Sequence, residues 1–348
     1  MRRELPGDGS AHASPIQCRL AEVKAPFPPG SLFLAPMVGL SHRALRTLVR
    51  EFGGLDFAYT EMASAAALVS GSPNEEWYLD AGPQPERTML QFYTLKPERL
   101  VEALHACAGR DVMGADINFG CAAPHISRAG GGVAWMENPE AAAGLVAAAR
   151  AAWPRLLSAK LRIGPEEDYP RLRDFCLGLV DAGVDFLALH PRLSGEKFRR
   201  TSRWDFVGKL AAELSVPVIG NGDIRSYSTY RERASGASPD GIMIGREAAR
   251  RPWIFALIRG REAREDFVLS VDLLETGHRM LDLIEELLPP DFHHTRARRF
   301  FYYYAENFTF AHHIRWKLQN APDLAAMRSE LERYISEVPQ DRLRSYRD

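Results

Sequence analysis

From Ser31 onward the chain alternates short apolar runs with longer stretches whose apolar residues recur at helical spacing. The short runs fall at 31–35, 56–60, 88–92, 115–118, 157–161, 185–190, 217–221 and 241–245. Helical patterns lie between them, as at 43–51, 97–108, 139–152, 169–182 and 226–234. Buried strands separated by helices predict a parallel sheet, because a parallel pair needs a crossover of about a dozen residues or more. Eight such units fit a (β/α)8 barrel, which typically spans roughly 250 residues. A doubly wound open sheet would usually start with a G-x-G-x-x-G turn, and Ala35-Pro-Met-Val-Gly39 is not one.

After about Arg259 the strand pattern stops. Helices are expected over 271–288, 295–310 and 324–335, with Pro289-Pro290 as a hard break. The expected fold is therefore α/β, a TIM barrel followed by a small C-terminal all-helical domain. Residues 1–30, rich in Gly, Ser, Pro and charge, form an expected flexible tail. Residues 31–258 form the barrel and 259–348 the helical domain. The middle of that last segment interleaves His293, His294, Arg296, Arg298 and Arg299 with Phe300-Phe-Tyr-Tyr-Tyr304, and then has His312, His313, Arg315 and Lys317. Such a mixture supplies phosphate contacts and stacking surfaces for RNA, although a plain amphipathic helix would also show it.

Composition narrows the picture. The chain has 348 residues, 46% hydrophobic and 26% charged, with a formal net charge of -1. This is the profile of a folded protein. Near-neutral charge leaves any nucleic-acid argument to local segments. Cys18, Cys107, Cys121 and Cys176 form no CxxC pair, so reduced thiols are expected, with neither disulfides nor a bound metal. The most apolar stretch, 141–153, is interrupted by Arg150 and ends at Pro154, short of the roughly 20 residues that span a bilayer. Arg2 and Arg3 lead into no apolar core, so no signal peptide is read and a cytoplasmic location is expected.

In a barrel of this kind chemistry sits at the C-terminal ends of the strands. Polar residues gather there: Gln91 on strand three, Asn118 with Cys121 just beyond strand four, and Lys160 then Arg162 on strand five. His190 ends strand six, Asn221-Gly-Asp223 strand seven, and Gly245-Arg246 strand eight. One or two could be satisfied strand-end groups; six strands delivering them to one rim point to an enzyme. The glycine turns after strands seven and eight suit a phosphate, with Arg246 adding a charge-assisted bond. A sugar phosphate or a flavin mononucleotide would both fit. A lysine at the position of Lys160 can stabilise negative charge on a reduced flavin, and Gln91 can both donate to and accept from a ring edge. Cys121, in a glycine-rich loop at this rim, can act as a general acid.

The ordered set Leu34-Ala-Pro-Met37, Thr60-Glu-Met62, Asn118-x-Gly-Cys121, Gly130-Gly-Gly132, Lys160-x-Arg162, His190-x-Arg192, Asn221-Gly-Asp-Ile224 and Gly245-Arg246 with Pro252-Trp253 resembles the tRNA-dihydrouridine synthase family. The resemblance implies an FMN-dependent oxidoreductase that takes hydride from NADPH and reduces the C5–C6 bond of uridines in tRNA. In that reaction hydride passes from flavin N5 to C6, and Cys121 protonates C5. It implies FMN contacts from Pro36, Met37, Val38, Gln91, Lys160, His190, Asn221, Gly222, Asp223, Gly245 and Arg246. Asn118, Arg162 and Arg192 would face the uridine, and Arg298 and Arg299 the tRNA. Ala122 stands where the family usually has proline. The implied partner is tRNA, with no membrane or metal, and the protein is expected to be a monomer. The alternatives are an FMN barrel acting on a free small molecule such as a pyrimidine, and a non-catalytic RNA-binding relative.

Overall fold

A computed structural model describes residues 26–196 and 200–348. Eight parallel strands close into a barrel: β1 (Ser31–Leu34), β2 (Phe57–Ser64), β3 (Thr88–Tyr93), β4 (Gly114–Phe119), β5 (Leu156–Leu161), β6 (Phe186–Leu189), β7 (Val218–Asn221) and β8 (Gly241–Ile244). Register runs Phe33 to Phe57, Asn118 to Lys160 and Leu34 to Ile244, the last pair joining β1 to β8. The barrel fold expected from the alternating pattern is the one observed.

Strand side chains alternate between two faces, so every second residue points into the barrel. On one face Leu32, Leu34, Leu90 and Leu187 pack outward against the helices. On the other, Phe33, Tyr59, Met89, Phe186, Ala188, Ile219 and Met243 form a separate interior cluster. Phe27 joins that cluster, meeting Phe33 at a centroid distance of 5.0 Å and Phe186 at 5.3 Å, both edge-on. It is 3% exposed. The last residues of the expected tail are thus part of the barrel; residues 1–25 lie outside the described residues.

The C-terminal region is mainly helical, as expected, with three differences. Leu269–Asp272 (β9) and Leu343–Tyr346 (β10) form a two-stranded antiparallel ribbon. Each strand has four residues and its partner lies some seventy positions away, so no local periodicity reveals it. The expected boundary at 258/259 falls inside a helix, Ile254–Ala263. The helix expected at 295–310 runs instead over Pro290–Tyr304. Proline is well tolerated at a first helical position, so Pro290 opens the helix five residues early. Asn307 ends it, its amide donating to the carbonyls of Tyr304 (2.9 Å) and Arg250 (2.6 Å). The helix packs on the short Arg246–Arg250 helix that follows β8, bringing the C-terminal region to the barrel rim. Among the described residues no helix is long and apolar enough to cross a membrane.

Phe27→Ala should cost about 3–5 kcal/mol of stability, the usual penalty for emptying a buried aromatic site. Its urea unfolding midpoint should fall accordingly; an unchanged midpoint would show that Phe27 does not seal the barrel floor.

Candidate active site

On β3 to β7 the interior residue two places beyond the apolar cluster, or beyond Asp116 and Ser158 beside it, is polar: Gln91, Asn118, Lys160, His190 and Asn221. With Pro36, Met37 and Val38 from the β1 loop, and Gly222, Asp223, Gly245 and Arg246 from the loops after β7 and β8, they line a cavity of about 490 Å³. Cys121 and Arg162 line it too. Cys121 is half-buried on this lining, with Ala122 following it.

Asn118 shapes the cysteine loop. Its Oδ1 accepts from the backbone N–H groups of Gly120 (3.0 Å) and Cys121 (2.8 Å), and its Nδ2 donates to Gln91 Oε1 at 3.0 Å. Gln91 Nε2 in turn donates to Asp116 Oδ2 at 2.7 Å. Gly132, at φ 57, presses against the Cys121 carbonyl, which a Cβ would approach to 2.3 Å, so glycine is required there. Arg162 ties the same loop to its neighbour: Nε donates to the Gly120 carbonyl and Nη1 to those of Leu193 and Glu196. Lys160 is half-buried on the cavity wall, and desolvation there pulls its pKa down to about 8; Asp116 opposes that shift.

The loop after β7 is built to approach an anion. Gly222 and Asp223 both have positive φ, at 127 and 55. Successive backbone N–H groups in such turns make anion-binding concavities. A Cβ on Gly222 would come within 3.0 Å of the His190 ring and 3.1 Å of Ser202 Oγ, so only glycine leaves this floor open. Asn221 fastens the rim as well as lining it: its Nδ2 donates to the Met243 carbonyl at 2.8 Å.

Arg192 corrects an expectation. A uridine-facing role requires access, and its side chain is 1% exposed and does not line the cavity. Nη2 bonds both oxygens of Asp223 at 2.7 Å, Nε donates to the Arg200 carbonyl, and Nη1 reaches His190 Nε2 at 2.7 Å. A guanidinium can only donate, so His190 accepts at Nε2 and carries its proton on Nδ1. Burial, then the positive charge of Lys160, Arg162 and Arg192, pulls His190 down to about 2, leaving it neutral at pH 7. Burial alone would raise Asp223, but Arg192 and two bonds from Ser202 outweigh it and hold the carboxyl at about 2. Arg192 therefore supports the rim from behind. The carboxylate of Asp223 is committed to it, which leaves the Asp223 backbone to meet a ligand.

Arg298 and Arg299 are exposed and lie outside the cavity. They line a neighbouring groove with Arg296, Tyr302, Tyr303 and Gln319. Tyr303 lines both groove and cavity, joining them. Glu306 joins it on the cavity wall; the sequence marked Tyr303 only as part of an aromatic segment and Glu306 not at all, because only the docking of the C-terminal helix brings them there. That docking is held by buried Glu61 on β2, which accepts from the Gly39 backbone and pairs with Arg296 at 3.4 Å. Among the described residues no three His, Cys, Asp or Glu side chains gather as a metal site. Cys107, Cys121 and Cys176 are free thiols; Cys18 lies outside the described residues.

The barrel floor is sealed by hydrocarbon while the rim collects a cysteine, a half-buried lysine and a glycine turn of positive φ. That division defines a (β/α)8-barrel enzyme whose ligand enters at the rim. Residues 33–339 match the dihydrouridine synthase (Dus) model, and the chain belongs to that family. It is 29% identical over 318 residues to a probable tRNA-dihydrouridine synthase of Helicobacter pylori, covering 88% of this chain and 94% of the relative. It is 32% identical over 238 residues to the tRNA-dihydrouridine(16) synthase of Cupriavidus necator, covering 66% and 73%. Similarity to tRNA-dihydrouridine synthase B of Xanthomonas campestris pv. campestris runs over 327 residues at 27% identity, covering 91% and 92%.

Asp223 is held below its unfolded value, so its pairing stabilises the protein above an unfolded pKa of about 3.9, and the contribution is lost as pH falls toward 2. Arg192→Leu should cost about 3–5 kcal/mol at pH 7, as expected for orphaning one member of a buried pair. Its stability should also fall less between pH 5 and pH 2.5 than that of the wild type. Equal acid losses in urea titrations at the two pH values would remove the pair from the account.

Proposed function

We infer that the protein is a tRNA-dihydrouridine synthase that uses FMN and NADPH. The observation that carries this reading is the meeting of Cys121 and Lys160 on one cavity wall, facing an anion-shaped rim, in a chain of the dihydrouridine synthase family. The residues present fit FMN. The open floor over Gly222, the backbone at Asp223, Gly245 and Arg246 would take its phosphate. Pro36, Met37 and Val38, with Gln91, Lys160, His190 and Asn221, would border the rest. When bound and reduced by NADPH, FMN would supply the hydride for C6 of the uracil ring.

The chain's own part is proton transfer and orientation. Cys121 gives its proton to C5: the S–H bond breaks, a C5–H bond forms, and the thiolate later regains a proton from solvent. The ammonium of Lys160 and the guanidinium of Arg162 face that thiolate and offset its charge. Asn118 keeps the loop from shifting by holding the backbone N–H on either side of Gly120 Cα. A uracil in folded RNA must leave its stack to enter such a cavity, at the lowest cost in loops and irregular regions.

The groove lined by Arg298, Arg299 and Tyr302 supports an RNA rather than a free nucleoside as substrate, since it continues from the cavity mouth through Tyr303. Arg315 stacks over the half-exposed Tyr302 ring at 4.8 Å, and Trp316 is 62% exposed with Lys317 beside it. Exposed aromatics flanked by cations are suited to stacking bases and contacting phosphates.

Purified protein should be yellow and should convert uridine to dihydrouridine in unmodified tRNA, read as a gain of about 2 Da in nucleoside digests, while leaving free uridine unchanged. Cys121→Ala should retain flavin and tRNA binding and lose about 10²–10⁴-fold in turnover, the range for a general acid. Arg298→Ala with Arg299→Ala should weaken tRNA binding and flatten its salt dependence without affecting flavin binding. Reduction of free uridine at the rate seen with tRNA would overturn the RNA reading.

A further inference from the structure

Beneath the cavity, Asp116 on β4 is fully buried and is not part of the cavity lining. Its Oδ1 accepts from Ser158 Oγ at 2.6 Å and its Oδ2 from Gln91 Nε2 at 2.7 Å. These bonds end a chain that starts at the cysteine loop, and the direction of that chain is fixed from both ends. At the top the backbone N–H groups of Gly120 and Cys121 can only donate, so Asn118 must present its oxygen to them. Its amide nitrogen then donates to Gln91 Oε1, which turns the Gln91 nitrogen downward to seek an acceptor. At the bottom a carboxylate can only accept. Any group unable to accept at this position would leave a buried N–H without a partner or flip both amides.

The same carboxylate lies beside Lys160. Asp116 pairs in register with Ser158, and Asn118 with Lys160, so the acid and the amine occupy adjacent strands, one step apart on the interior face. Around Asp116 stand Tyr59 from β2, Gln91 from β3, and Ser158 and Lys160 from β5. Around Lys160 stand Asp116, Cys121 and Arg162, with neutral His190 from beyond β6. Burial and Arg162 disfavour its ammonium; Asp116 and the cysteine favour it.

We propose that Asp116 is a positioning residue: it sets which edge of the Gln91 and Asn118 amides meets the cavity, and it is the countercharge that keeps Lys160 an ammonium. The function rests on the reading above only in that the edges and charge so fixed would meet FMN and uracil. Asp116 itself touches neither.

The test reads Lys160 on the flavin-free protein, by the pH dependence of its acetylation with acetic anhydride, quantified by peptide mass. In the wild type the half-titration should lie near pH 8; a value below pH 7 would show that no countercharge holds the amine and would overturn the proposal without any variant. Asp116→Asn keeps the shape and one acceptor but removes the charge, and should lower the half-titration by at least about one pH unit, the usual effect of losing an adjacent opposite charge. Asp116→Ser, smaller and also uncharged, gives the same reading should the amide variant fold poorly. An unchanged half-titration in a folded variant overturns the proposal. FMN binding, followed by quenching of flavin fluorescence, should weaken from pH 6 to pH 8 in the variant more than in the wild type. A protein that binds no flavin at any pH would instead sink the cofactor reading, while the acetylation profile still decides the role of Asp116.

Discussion

The barrel interior is divided at one level, and the rest of the molecule depends on that division. Below it Phe27, Phe33, Phe186 and their neighbours fill the space with hydrocarbon; above it five strands in succession turn a polar side chain inward. Closing parallel strands into a barrel brings all their C-terminal ends to one rim, so groups far apart in sequence meet there with no further device. The apolar floor excludes water from below, which makes each charge at the rim costly unless it is answered. Asp116 answers Lys160, and Arg192 answers Asp223.

Two kinds of arginine serve this rim. Arg162 and Arg192 spend their donors on carbonyls, a carboxylate and an imidazole, and so hold loops in place. Arg298 and Arg299 project from the C-terminal helix, where a polyanion can reach them. A sequence shows four arginines of equal standing. Burial sets Arg192 apart, because a guanidinium enclosed with a carboxylate stays with its partner, while half-buried Arg162 still lines the cavity and the exposed pair can exchange water for a phosphate.

The C-terminal region is more than an appended module. Its Pro290–Tyr304 helix completes the cavity with Tyr303 and is pinned to the barrel by the Arg296–Glu61 pair, which also holds the backbone at Gly39. The loop that carries Met37 and Val38 is thereby braced by a helix some 260 residues further along the chain. The groove on the outer face of that helix and the cavity beside the loop thus share one support.

Short apolar runs separated by helical repeats determined the eight strands, because a barrel strand covered on both faces reads as a continuous apolar run, and polar residues at the ends of those runs marked the inward set from Gln91 to Asn221. The sequence also singled out Cys121 and the glycine turns, whose backbone demands are local. Tertiary structure alone decided that Phe27 caps the floor, that β9 pairs with β10, and that Tyr303 and Glu306 belong to the cavity wall. It likewise turned Arg192 inward and gave Asp116 its place at the foot of the hydrogen-bond chain. The physical reason is the same throughout: a side chain's donors and charge take their role from the partners that folding brings within about 3 Å, and those partners come from distant parts of the chain.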